Sequence, residues 1–194
     1  MEERARRIVD TAVELAERGG FEAVRLRDVA SNAGVALGTL YRRFRSKEDL
    51  LLAALEREIE EHEQRVLEHP PPGDSALERL TSFFEVTTEA ICRRPNLARA
   101  LVRSVSRGEP ELAQKVAAFH LRIEKLITAA LRGETSPASE PSEAERSLGY
   151  VLQLVWFASL VGWAGGLHGQ DEIVSQTRTA AELMLRAPEP PAIA

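Results

Sequence analysis

The sequence holds a single cysteine, Cys92, and only two tryptophans, two tyrosines and two methionines in 194 residues. One cysteine excludes an intramolecular disulfide framework and suits a reducing compartment. Arg93 and Arg94 beside it would favour a thiolate, but a lone cysteine reads better as a small buried hydrophobe. No apolar run is expected to reach the ~18 residues of a membrane span. The longest candidate, residues 150–167, is interrupted by Gln153 and Ser159 and reads as a buried helix ending at its glycines. MEERARRIVD at the N-terminus lacks the apolar centre of a signal peptide, so a soluble, cytoplasmic protein with no membrane association is expected. Phosphate-loop, nucleophile-elbow, CxxC and paired-carboxylate patterns are missing too, which argues against an enzyme. Glu58/His62 and His120/Glu124 have i,i+4 spacing but lack a third ligand, so neither a metal nor a cofactor is expected. Alternating strand patterns are also wanting, which leaves an all-α chain.

What is present is a basic island in an acidic protein. Residues 25–47, RLRDVASNAGVALGTLYRRFRSK, carry six Arg or Lys and only Asp28 as an acid, whereas the chain as a whole has a formal charge of −5. Such a concentration of one sign is the electrostatic footprint of a nucleic-acid contact.

Helical periodicity organises the rest. A first helix, about 3–18, stops at Gly19-Gly20. A second uses Val29, Ala30 and Ala33 as its apolar set and ends at Gly34. A third, about 37–44, turns Leu40 and Phe44 inward. Ser46 followed by Lys47-Glu48-Asp49 is a capped start for a fourth helix reaching about Glu68, joined to the first three without a flexible linker. Pro70-Pro71-Pro72-Gly73 closes it. Further helical patterns cover about 75–93, 95–106, 109–132, 143–166 and 171–186, with Asp74, Ser142 and Asp171 as cap or first-turn residues, about nine helices in all. The polar segment 133–145 reads as a mobile loop.

A helix-turn-helix reader places its second helix in the major groove. The third helix suits that role: Thr39, Tyr41, Arg42 and Arg43 offer donors to phosphates and base edges, and Gly38 permits close backbone approach. Lys47 and the first turn of the fourth helix are placed to grip a phosphate. Asp28 and Glu48 are expected to cap helix starts away from the DNA.

Gly20-Phe21-Glu22-Ala23, Arg27-Asp28-Val29-Ala30, Gly34-Val35, Gly38-Thr39-Leu40-Tyr41-Arg42-Arg43-Phe44 and Ser46-Lys47-Glu48-Asp49-Leu50-Leu51 together resemble the TetR family of bacterial repressors. The close resemblance covers about residues 5–57. It implies a DNA-binding domain at 1–50 (helix-turn-helix about 25–44) and a helical effector-binding and dimerisation domain at 51–187; the proline-rich composition of 188–194 reads as a disordered tail. Carried over by residue, Arg27 and Thr39 face bases or sugar, and Tyr41 and Lys47 bind phosphate. Arg25 stands where the family often has Ser or Thr and adds a DNA contact. Ala36-Leu37 opens the third helix without the usual hydroxyl cap. The family implies a homodimer on double-stranded operator DNA, released by a small hydrophobic effector. VRLRDVASNAGVALGTLYRRF, RRPNLARALVRS and LQLVWFASLVGW further resemble the steroid-catabolism repressors of that family, which implies an effector of lipid, steroid or acyl-coenzyme A type. Phe84, Thr88, Leu101, Phe119 and Trp156 are the candidate pocket residues. Trp163, Ala158, Gly162 and Leu183 are the candidate dimer-interface residues. Any one of these apolar residues could equally be ordinary core. The rivals are a small-molecule-binding helical protein or enzyme with a vestigial DNA module, and an activator in place of a repressor.

Overall fold

Gly20 adopts φ 66° and ψ −161°, a conformation closed to other residues, and breaks the first helix where the sequence has Gly19-Gly20. The chain then resumes one more turn before the second helix. The computed structural model describes residues 2–134 and 140–186, so the expectation for the 188–194 tail, like part of the 133–145 loop, lies outside the described residues. Among the described residues there are nine α-helices and no strand: α1 Glu2–Ala23, α2 Leu26–Asn32, α3 Leu37–Tyr41, α4 Lys47–Glu68, α5 Ala76–Cys92, α6 Pro95–Ser106, α7 Ala113–Arg132, α8 Glu143–Ala164 and α9 Gln170–Arg186, with a 3-10 turn at Pro110–Leu112. The third helix is shorter than expected, because residues 42–43 are a turn. Ser75, rather than Asp74, caps α5: its hydroxyl accepts from Glu78 N while Glu78 accepts from Ser75 N.

The chain divides into two compact units. The first comprises residues 1–61 and 90–119. Its core joins Ile8, Ala12, Ala16, Val29, Leu40, Phe44, Leu50 and Leu51 to Leu97, Ala100 and Leu101 of α6. The DNA-binding helices therefore share one core with α6, a grouping that a boundary at residue 50 does not convey. Arg94 fixes the start of α6 by ion pairs to Glu17 and Glu58. Burial pushes the Cys92 thiol up to about 11, so the cysteine behaves as a small buried hydrophobe.

The second unit comprises residues 62–89 and 120–194. Phe83, Phe84, Leu80, Ile127, Leu152, Trp156 and Ile173 are among its fully buried side chains. Arg79 donates to the carbonyls of Ala130 and Leu131 at the end of α7. A Ser142–Glu145 capping box starts α8, and Arg132 binds the same Glu145, holding its carboxyl down at about 2. Contrary to the sequence expectation, α8 is long and apolar enough to cross a membrane by length and composition, with a mean hydropathy of 1.4 over 18 residues. Its inner stripe of Gly149, Leu152, Trp156, Leu160 and Trp163 is buried in the second unit, as the core helix of a folded domain requires.

Candidate DNA-binding site

Leu40 is fully buried and Phe44 nearly so, and these two anchors set the face that α3 presents. Between α2 and α3, Gly34 at φ 66° lets Val35 N return to Ala30 O at 3.0 Å, closing the tight turn of a helix-turn-helix. Arg25, Arg27, Gly38, Tyr41, Arg42 and Arg43 are all exposed, with Tyr41 at 53% of its full accessibility. An exposed tyrosine beside four exposed arginines is uncommon on a purely solvated surface and suits a polyanion. Thr39 is half-buried, and its hydroxyl accepts from Arg42 Nη2 at 3.1 Å. Seven of the eight residues chosen from sequence are thus exposed or half-exposed. Ala36 begins α3 without a side-chain cap, as its sequence implies.

Lys47 is engaged differently. Its Nζ lies 3.8 Å from the Phe21 ring centroid and 3.4 Å from Glu22 Oε2, and only a quarter of its side chain is exposed. Glu48, expected to cap a helix start, instead turns inward and accepts from Arg107 Nη1 at 2.9 Å. Asp49 is also buried, and accepts from Arg45 N at 3.0 Å and from Lys115 Nζ at 2.5 Å. Ser46 caps the helix by accepting from Asp49 N. Sequence reasoning missed Arg103 and Arg107, which stack toward the same Phe21 ring from α6 and just beyond it. The signal was there: Arg99, Arg103 and Arg107 recur every four residues, one face of a helix.

Of the residues expected in an effector pocket, Phe84, Thr88 and Trp156 do meet. Trp156 Nε1 donates to Thr88 Oγ1 at 3.0 Å, and the Trp156 and Phe84 rings are 6.1 Å apart. Leu101 belongs to the core of the first unit, beside α1, and Phe119 is the last residue of that unit. Two histidines add polar groups to the second unit. Thr87 donates to Phe83 O, so its hydroxyl accepts from His62 Nε2, which fixes a proton on that nitrogen; burial and then Arg65 lower the imidazole to about 4. Gln153 donates to His120 Nδ1 at 2.5 Å, and burial lowers His120 as well. A separate open hollow of about 480 Å³ between α5 and α9 is lined by Thr81, Glu85, Asp171, Val174, Ser175, Arg178, Thr179 and Glu182. None of the expected pocket residues lines it.

The expected dimer residues also divide. Ala158 and Leu183 are exposed. Trp163 is buried, because it falls on the inner stripe of α8 seven residues after Trp156. A Cβ on Gly162 would meet the imidazole of His168, Nε2 at 2.5 Å. The outer face of α8 carries Val151, Leu154 and Val161, each about two-fifths exposed, with Ala158 between them.

A three-helix module with a glycine turn, an apolar anchor behind α3 and exposed cations in front defines a helix-turn-helix DNA-binding regulator. The model of bacterial regulatory proteins of the tetR family matches residues 8–54, and that of the tetracyclin repressor-like C-terminal domain matches 73–184. The chain belongs to the TetR family and is a transcriptional repressor of that family. It is 34% identical over 183 residues to the HTH-type transcriptional repressor KstR of Rhodococcus jostii, covering 94% of this chain and 83% of that protein. A TetR transcriptional regulator from Rhodococcus sp. RHA1 superposes with a TM-score of 0.81 at 25% identity, over 96% of this chain and 97% of that one. Thermus thermophilus FadR, a TetR-family repressor solved in complex with lauroyl-CoA, gives 0.70 at 26% identity, over 98% and 99%.

Proposed function

We propose that the repressor binds a pseudo-palindromic operator as a homodimer and is released by a small hydrophobic effector of lipid, steroid or acyl-coenzyme A type. The observation that carries the DNA half is the face of Arg25, Arg27, Thr39, Tyr41, Arg42 and Arg43 held over buried Leu40 and Phe44. Arg27 and Thr39 read bases, Tyr41, Arg42, Arg43 and Lys47 take phosphates, and Gly38 admits the backbone to the groove. A dimer presents two such helices to successive major grooves, roughly 34–36 Å apart in the simplest case.

Support for the dimer comes from α8. Val151, Leu154, Ala158 and Val161 recur at three- and four-residue spacing on its outward face, and Leu183 of α9 is 65% exposed. An apolar stripe of that kind favours burial against another surface. Support for the effector class comes from the lauroyl-CoA held by the Thermus FadR and from the core of the second unit. There Phe84, Trp156 and Thr88 combine apolar area with a few fixed polar groups, the composition of a small-molecule site. Effector binding in the second unit alters the course of α4, which runs from the first unit into the second, and so moves α3. A coupling of roughly 1–3 kcal/mol gives about 5–150-fold release. The protein acts in the cytoplasm, where its DNA lies, and performs no catalysis.

The test is binding to the promoter DNA beside its own gene across a salt series, with and without long-chain acyl-coenzyme A and steroid thioesters. Salt-steep binding to a two-fold symmetric site, weakened by one of these, supports the reading. Salt-insensitive binding refutes its DNA half, and indifference to every apolar thioester refutes its effector half.

A further inference from the structure

Glu22 is shared by two cations from different helices. Its Oε2 lies 3.4 Å from Lys47 Nζ at the start of α4, and its Oε1 lies 2.9 Å from Arg103 Nη1 on α6. The preceding residue, Phe21, is buried and organises both partners: Lys47 Nζ sits 3.8 Å and the Arg103 guanidinium 4.3 Å from its ring centroid. Glu22 itself is open to water, with 70% of its side chain exposed. Lys47 is therefore a cation already provided with a counter-ion. A phosphate at Lys47 then shares the ammonium with that carboxylate, whose charge opposes the phosphate unless something else neutralises it. Arg103 is placed to do so.

We infer that Glu22 competes with operator phosphate for Lys47, and that Arg103 is the positioning residue that decides the competition by neutralising Glu22. The inference rests on the reading of Lys47 as a phosphate contact. With Arg103 in place, the carboxylate charge is satisfied from α6 and Lys47 turns to the DNA. Without the Arg103 guanidinium, the full charge of Glu22 falls on Lys47, which is held back from phosphate. α6 thus acts on DNA affinity through one exposed carboxylate, with no rearrangement of the recognition helix. Two copies in a dimer multiply the effect. Exposed ion pairs are individually weak, so the expected changes are several-fold and shrink as salt rises.

The experiment measures binding by fluorescence anisotropy, using a duplex selected from a random pool by the wild-type protein. Glu22→Gln should bind about three- to tenfold more tightly at low salt. Arg103→Ala should bind more weakly by a similar factor, and Arg103→Lys should restore most of the loss. In a Glu22→Gln background Arg103→Ala should be silent. Lys47→Ala should weaken binding and flatten the salt slope by roughly two counterions per dimer, and should silence both other changes. All three side chains are partly or largely exposed, and circular dichroism verifies that each variant is folded. If Arg103→Ala costs the same with or without the Glu22 carboxylate, Arg103 acts by another route and the inference is wrong. If Glu22→Gln is neutral while Lys47→Ala is not, Glu22 is no competitor. If Lys47→Ala matches wild type, the phosphate reading of Lys47 fails and the competition fails with it.

Discussion

Lys115 Nζ lies 2.5 Å from Asp49 Oδ1, joining the first turn of α7 to the first turn of α4 across 66 residues of sequence. The carboxylate is buried, and its other oxygen holds Arg45 N in the turn that follows α3. Arg107 makes the same kind of pair to buried Glu48 one residue earlier. These two pairs fix how α4 begins, and thereby where α3 ends.

Removing the cation is costly because the carboxylate stays behind in the interior. Lys115→Met should lower stability by about 2 kcal/mol, less than a fully buried pair would lose because the lysine is partly exposed. Chemical denaturation of wild type and variant measures this, and a change below a few tenths would show the pair to be inconsequential.

Leu40 is the anchor behind the recognition helix. Leu40→Ala should cost about 3 kcal/mol through the cavity it leaves, and should abolish operator binding before the rest of the chain unfolds. Thermal unfolding alongside a DNA titration separates the two effects. Full affinity in the variant would show that α3 needs no such anchor.

Base-reading and phosphate-holding residues should give different signatures. Arg27→Ala and Thr39→Ala should change which duplexes are preferred, whereas Tyr41→Phe and Arg43→Ala should weaken all duplexes alike. Competition between selected and scrambled duplexes distinguishes them. A uniform loss from Arg27→Ala would move that residue to the phosphate group.

His62 sets a pH dependence. Above pH 6.5 the imidazole is neutral in both folded and unfolded chains, so it contributes no slope. Between 6.5 and about 4 the unfolded chain takes up a proton that the folded site refuses, and stability falls with pH; below about 4 both are protonated and the loss levels off. The total is on the order of 3 kcal/mol. Urea denaturation at pH 7.5 and 4.5 should show the loss, and His62→Gln should remove most of it. An undiminished pH effect in that variant would assign it to another group.

The outer stripe of α8 predicts the oligomer. Leu154→Glu should convert the dimer to monomer in sedimentation, leave the helical content unchanged, and reduce operator affinity at least tenfold because two half-sites no longer bind together. A dimer that survives the change would locate the interface elsewhere.

Some of this protein is settled by sequence alone. Gly20 breaks α1 and Gly34 follows α2 at positive φ, which L side chains rarely adopt, and Leu40 and Phe44 fall on one face of a helix whatever surrounds them. Local signals of that kind gave the helices, the helix-turn-helix and its exposed cations. Tertiary structure decided the rest, because periodicity names a face without naming its neighbour. Trp163 looks like an interface residue on a small-residue helix, yet it falls on the buried stripe of α8. Leu101 looks like pocket lining, yet α6 packs on α1. Lys47 looks like a free cation, and only the folding of α6 beside Phe21 and Glu22 surrounds it with a carboxylate and two arginines. Such long-range partners depend on which helices meet, and that depends on burying the apolar faces of the unit together.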